Sequence, residues 1–208
     1  TTVGEPVFRT DDVLLISDEI HADLMMNGSE HHAVCAVCGA LEGHTITHYA
    51  PSKTFNLAGL QTAVTIIPDD SIREVFIQGL NANRIFNFNW FSAAALETAY
   101  NQCEGYVEAL CSYVDGNIRY MEQYLDQRLP VLKMNHPEAT YMVWVDFRGT
   151  GMTTEEIEHF IVHKAHIGVD MGSWFGPGGE GYLRFNLACP RSILKRALEQ
   201  LEHAFLDK

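Results

Sequence analysis

A lysine between a serine and a run of small and apolar residues is the part of this chain best suited to covalent chemistry: Ala50-Pro51-Ser52-Lys53-Thr54-Phe55-Asn56-Leu57-Ala58-Gly59-Leu60. The alternating stretch Thr45-Ile46-Thr47-His48-Tyr49 precedes it, and a β-rich run over residues 60–67 follows. Lys53 therefore reads as standing at a strand-to-strand junction with little charge around it. Partial desolvation disfavours an ammonium ion and lowers its pKa. That is what an amine needs to attack a carbonyl. A surface lysine in a turn fits the same residues. A second chemical residue lies upstream. Val13-Leu14-Leu15-Ile16 reads as a buried parallel strand. It delivers Asp18 at its C-terminal end, the edge at which open α/β sheets place their ligands.

Two other groups of residues invite chemistry. Cys35 and Cys38 form a Cys-x-x-Cys pair near His31, His32 and His44, which suggests zinc. The two histidines precede the cysteines at the wrong spacing for a zinc finger, so no metal is assigned and the fate of the cluster stays open. Gly176-Pro177-Gly178-Gly179-Glu180-Gly181 looks like a phosphate cradle. It lacks the Lys-Ser/Thr ending of a P-loop and precedes a strand instead of a helix. A flexible turn near a substrate mouth is the better reading.

Several motifs in order carry a resemblance. Ser17-Asp18-Glu19-Ile20-His21-Ala22-Asp23-Leu24 comes first, followed by the Lys53 stretch. Ala139-Thr140-Tyr141-Met142-Val143-Trp144-Val145-Asp146 comes next, and then the run from Phe175 through Arg184 to Pro190-Arg191-Ser192. Together they resemble the pyridoxal-phosphate (PLP) enzymes of fold type I, aminotransferase class I/II. Within these, the resemblance is to the carbon–sulfur β-lyase (cystathionine β-lyase) group. The likeness implies an α/β fold. It would comprise part of a large PLP-binding domain with a mixed or parallel sheet, residues 1–110, and a small α+β C-terminal domain, residues 111–208.

The resemblance also implies roles. Lys53 matches the family's Schiff-base lysine, which also moves the substrate α-proton. Asp18 matches the aspartate that pairs with the pyridine nitrogen. His21 falls where many aminotransferases place a tyrosine near the ring hydroxyl, although a histidine at a strand end also serves as a structural hydrogen bonder. Ser52 matches a phosphate-binding position. Arg184 matches the arginine that clamps the substrate carboxylate, for which a planar fork is suited. Gln61 stands where many aminotransferases carry a phosphate-binding arginine, a departure that favours the lyase branch. The implied reaction expels a thiolate from Cβ of cystathionine, cystine or a related cysteine conjugate, giving pyruvate and ammonia. An aminotransferase and a non-catalytic relative are the alternatives. The family's members imply a homodimer. They are also longer than this chain, whose likeness covers only their C-terminal portion. A fragment, an internally shortened chain and a degenerate relative all fit that observation, and Gly4 reads as a remnant of an upstream turn.

The 208 residues carry a net charge of −13, with 47% hydrophobic and 20% charged residues. That balance describes a globular protein and argues against a nucleic-acid partner, which needs clustered Lys and Arg. No apolar run approaches the ~18 residues of a membrane span. Five cysteines at irregular spacing fit a reducing, cytoplasmic setting. Around the candidate residues the periodicity predicts a helix after Pro68-Asp69-Asp70-Ser71 and one long helical stretch over 92–127, with Gly105 and Gly116 as sites for breaks or bends. It predicts strands at 131–134 and 141–146, and a helix opened by the Thr153/Glu156 capping box. A short strand over 166–169, a strand over 182–188 carrying Arg184, and a final amphipathic helix after Pro190 complete the pattern.

Overall fold

The computed structural model describes residues 13–37, 43–85 and 89–206. They divide into two compact units. The first comprises the residues up to Met25 with Glu30–Glu108, and the second Met26–Ser29 with Ala109–Lys208. Gly4 and Cys38 fall outside the described residues.

In the first unit, strands β1 (Leu15–Asp18), β2 (Thr45–Tyr49) and β3 (Val64–Ile66) form a sheet in that order. β1 and β2 are parallel, and β2 and β3 antiparallel. The crossover between the parallel pair contains the short helix α1 (Val34–Val37). Thr45, Ile46 and Thr47 are buried, as β-branched residues in a central strand favour. The parallel pairing agrees with the reading of 13–17 as a strand, but burial does not. Ile16 is 61% exposed, and Val13 and Leu14 are exposed too. β1 is the edge of its sheet, and its Ile16 and Asp18 face is open among the described residues.

The lysine stretch also differs from expectation. Lys53 lies in the short helix α2 (Pro51–Thr54), not in a loop between strands. Pro51 opens α2 because its fixed φ suits a first helical position and its missing N–H is not needed there. A 3-10 turn over Ala58–Leu60 and a left-handed Gln61 (φ 52°) then consume the start of the run expected as strand 60–67, leaving only Val64–Ile66 in the ladder. Helix α3 (Asp70–Ala82) is capped by Asp69, whose side chain accepts from Ile72 N at 2.9 Å. The expected long helix is two helices, α4 (Trp90–Gln102) and α5 (Glu104–Arg128), separated at Cys103 (φ −114°, ψ 26°). The break falls two residues before Gly105, the poorest helix former nearby. Gly116 causes no break. A Cβ there would crowd Arg191 Nη2 at 3.2 Å.

The second unit is an antiparallel sheet covered on one face. Strands β4 (Lys133–Met134), β5 (Met142–Asp146), β6 (Asp170–Met171) and β7 (Tyr182–Asn186) run in the order β4-β5-β7-β6. Val143, Val145, Leu183 and Phe185 alternate inward. With them are buried Val114, Ile118, Met121 and Leu125, a helical stripe on α5, and residues of α6 (Thr154–His163) and α7 (Arg191–Leu206). The capping box of α6 forms in full. Thr153 Oγ1 accepts from Glu156 N at 3.2 Å, and Glu156 Oε2 accepts from Thr153 N at 2.8 Å.

The strand expected at 166–169 appears later, at Asp170–Met171. His166 is left-handed (φ 53°), which takes its neighbourhood out of extended geometry. β7 ends at Asn186 and not at residue 188, because α5 captures the next carbonyls. Asn117, fully buried on α5, donates from Nδ2 to Leu187 O (2.8 Å) and Cys189 O (2.9 Å), and its Oδ1 accepts from Arg191 Nε (2.6 Å). Asn117→Ala would strand one buried and one part-buried carbonyl and a guanidinium N–H. We expect it to destabilise the second unit by about 2 kcal/mol, read as a lower urea midpoint at unchanged slope.

Candidate active site

The parallel pairing of β1 and β2 decides where the first group of candidate residues sits. Register places Asp18 opposite His48, so both strands finish at the same edge of the sheet. β2 ends one residue later at Tyr49, and extended Ala50 leads directly into α2 with Ser52 and Lys53. The turn after β1 carries His21, half-buried, whose carbonyl accepts from Leu24 N at 3.0 Å. The structure thus gathers Asp18, His21, Ser52 and Lys53 on segments that leave one edge of the same two strands.

Three interactions hold that edge together. Thr54, fully buried beside Lys53, donates to Asp23 Oδ2 at 2.8 Å and ties α2 to the turn after β1. Phe55 packs edge-on against Tyr100 (5.6 Å between centroids) and stacks on Tyr106 (6.0 Å). The third is centred on Glu19, which is only 5% exposed. Its Oε1 accepts from Ser17 Oγ (3.0 Å) and Val34 N (3.2 Å). Its Oε2 accepts from His31 Nε2 (2.8 Å) and from the Tyr49 hydroxyl. Burial acts most strongly on this carboxyl and pushes its pKa up. The bonds from Tyr49, His31, Val34 and Ser17 together outweigh it and hold the pKa below the ordinary 4.5. For Tyr49, burial and then the Glu19 bond act in the same direction and drive the phenol above its ordinary value.

The reactive groups themselves are uncommitted. Neither the Ser52 hydroxyl nor the Lys53 amine bonds to a described residue, and both residues are half-buried. Asp18 is exposed, with one long contact from Ile20 N to Oδ1 at 3.3 Å. Of the histidine–cysteine cluster, His31 is engaged by Glu19, and Cys38 lies outside the described residues. Among the described residues no three His, Cys, Asp or Glu side chains gather as a metal site, and no helix is long and apolar enough to cross a membrane.

Arg184 belongs to the second unit. On β7 it stands opposite Trp144 of β5 and Asp170 of β6. Its Nε and Nη2 both donate to Asp170 Oδ2, at 3.0 and 2.7 Å. The guanidinium carbon lies 4.4 Å from the centroid of Phe175, whose ring meets Trp144 edge-on at 5.2 Å. Phe175 ends the 3-10 turn Gly172–Phe175 that leads into the glycine-rich run, and this stretch is more tightly built than a loose turn. Gly172 and Gly179 approach so closely that a side chain on either would run into the other's carbonyl. Gly181 (φ 78°) returns the chain to β7, and its carbonyl accepts from Phe147 N at 2.9 Å.

Sequence reasoning missed Glu19 and Asp170. Glu19 follows Asp18 in the first motif and receives no role from the sequence. The available signal was Tyr49, a large polar aromatic on the strand that leads to Lys53. Asp170 had no such signal, because its partner is set by a strand of two residues.

Comparison with known proteins places this geometry. The sequence matches the aminotransferase class I and II family over residues 6–201. It is 35% identical over 192 residues to cystathionine beta-lyase PatB of Bacillus subtilis, covering 92% of this chain and 50% of PatB. Among solved structures, cystalysin from Treponema denticola, which contains a pyridoxal 5'-phosphate cofactor, superposes with a TM-score of 0.92. It is 38% identical and covers 95% of this chain and 50% of cystalysin. The PLP-bound C-S lyase from Staphylococcus hominis, with L-cycloserine, gives a TM-score of 0.83 at 32% identity, covering 93% of this chain and 47% of its own. The chain therefore spans about half the length of the relatives it matches. With a family match across nearly all its residues and a fold shared with PLP-bound enzymes, the chain belongs to the aminotransferase class I and II family.

Proposed function

We propose that this chain carries the lysine-bearing part of a PLP-dependent carbon–sulfur β-lyase acting on cystathionine, cystine or related cysteine S-conjugates. One observation carries the reading: Asp18 and Lys53 leave the same edge of two adjacent parallel strands, with the Lys53 amine bonded to no described residue and Asp18 holding one long contact from Ile20 N. The donor set fits the cofactor chemically. A primary amine suits its aldehyde, a carboxylate its pyridinium N–H, and a hydroxyl its phosphate. PLP, when bound, supplies the electron sink that makes the substrate α-proton acidic.

The protein's own groups do the rest. Lys53 holds the cofactor and moves the α-proton as general base. Asp18, exposed at the end of β1, would pair with the pyridine nitrogen and keep it protonated. Ser52 would hold the phosphate through its hydroxyl, and His21, on the turn after β1, would flank the ring. Arg184 takes the substrate α-carboxylate on its fork. Departure of a thiolate from Cβ, followed by hydrolysis, gives thiol, pyruvate and ammonia. The lyase names of PatB and of the Staphylococcus enzyme favour elimination. Amino transfer is the second reading, because the family's own description includes it. We place the working protein as a homodimer.

The test is a pair of assays on one preparation. Pyruvate and thiol released from L-cystathionine without any added 2-oxo acid support the lyase. Turnover that requires a 2-oxo acid acceptor supports amino transfer and removes the lyase reading. Arg184→Ala is expected to raise KM for the amino acid about 10- to 100-fold while changing kcat less. Unchanged steady-state constants would take Arg184 out of the site.

A further inference from the structure

The cross-strand partner of Arg184 is itself a carboxylate. Asp170 Oδ2 takes the Nε hydrogen and one Nη2 hydrogen, while Nη1 bonds to no described residue. Phe175 covers a face of the guanidinium. Only the end-on Nη1/Nη2 edge is left to receive a carboxylate. It would do so beside the charge of Asp170, which is 40% exposed and pointed at the same group. Building on the assignment of Arg184 as the carboxylate clamp, we propose that Asp170 is a specificity-determining residue that makes this clamp select zwitterionic α-amino acids over the corresponding 2-oxo acids.

The reasoning is electrostatic. A lone arginine offers a full positive charge, and any carboxylate benefits. An Arg–Asp pair offers no net charge, only a dipole with its positive end at Nη1. A 2-oxo acid brings a single negative charge, meets an attenuated attraction, and is repelled by Asp170. An α-amino acid brings a carboxylate and an ammonium on adjacent atoms. Its carboxylate faces Arg184 while its ammonium lies on the side of the aspartate, so the two dipoles are antiparallel. The pair also fixes the guanidinium plane before the ligand arrives, which lowers the ordering cost of binding. For a reaction that consumes an amino acid and releases a 2-oxo acid, such a clamp weakens product retention.

The experiment uses the 208-residue chain without cofactor, labelled with 15N-arginine. The side-chain N–H signals of Arg184 are assigned by their loss in Arg184→Lys and followed at low ionic strength during titration with L-alanine or with pyruvate. Wild-type protein is expected to bind alanine more tightly than pyruvate. Asp170→Asn keeps an acceptor in place but removes the charge. It should tighten pyruvate about fivefold and alanine by less than about twofold, with the difference shrinking as salt is added. Asp170→Glu should retain the wild-type preference, which separates charge from shape. If Arg184 responds but Asp170→Asn alters both ligands equally, or neither, the role given to Asp170 is overturned and the assignment of Arg184 stands. If Arg184 signals respond to neither ligand in any variant, the carboxylate clamp itself is wrong and the selectivity falls with it.

Discussion

Lys53→Ala is expected to abolish turnover by at least about 10³-fold and to remove the cofactor's visible absorbance from the protein. Two functions are lost in one substitution. On the proposed assignment of Lys53, the amine that anchors the cofactor disappears, and so does the base that moves the α-proton. General acid–base transfer by a positioned side chain is worth about 10²–10⁴ on its own, so the combined loss exceeds that of any neighbouring residue. The local structure should survive. Thr54, not Lys53, makes the bond to Asp23, and alanine is a good helix former for the exit of α2. A mutant that kept both absorbance and rate would place the chemistry elsewhere. Added alkylamines offer a control, because partial rescue of rate in Lys53→Ala would show that the missing group is a base and not a fold determinant.

Glu19→Ala is expected to produce the largest loss of stability. It would leave the Tyr49 and Ser17 hydroxyls, the His31 ring and the Val34 N–H without their common acceptor. Bonds to a buried carboxylate are worth more than neutral ones, and orphaned donors add a desolvation penalty. We expect the β1–β2 pair to open about 3 kcal/mol more easily. That corresponds to roughly hundredfold faster exchange of its amide hydrogens. The same contact predicts a pH profile with two limbs. The folded carboxyl titrates below the ordinary 4.5, so its contribution is complete above that pH and is lost as pH falls through the folded value. The Tyr49 phenol is raised above its ordinary 10.0, so its contribution is complete below pH 10 and is lost as pH rises beyond it. Tyr49→Phe should shrink the alkaline limb to the share of the raised Tyr100 phenol in the same unit and leave an acid one. An unchanged alkaline limb in that variant would mean that this hydrogen bond does not couple to folding.

The consequence for function is positional. Glu19 joins the strand end that presents Asp18 to the strand end that presents Lys53. Exchange measured across β1 and β2 therefore reports on the scaffold of both reactive groups at once.

What the sequence reveals follows from how local each feature is. The capping box of α6 and the apolar stripe of α7 are written within single helices, and both are found close to where periodicity puts them. The placement of Asp18 at a strand end is also legible, because an apolar run followed by an acid is a local pattern. Burial of β1 is not, since it depends on neighbours and β1 is an edge strand. The Glu19 hub draws its partners from residues 17, 31, 34 and 49, separations that no periodicity encodes. The Asp170–Arg184 pair depends on the register of a two-residue strand, displaced from 166–169 by the left-handed His166. The helix break at Cys103 lies two residues before Gly105, one of the two glycines that mark a break or bend in the sequence, while α5 runs on through Gly116, the other.

The most direct test of the central claim is chemical trapping. The 208-residue chain is mixed with PLP, reduced with borohydride, digested, and searched by mass for pyridoxyl-modified lysine. Modification concentrated at Lys53, and lost from the peptide in Lys53→Ala, is the predicted result. It would show that the edge formed by β1 and β2 assembles a cofactor site in this chain. Modification spread over exposed lysines such as Lys133, Lys164 and Lys195, with Lys53 no more reactive than they are, would contradict the account.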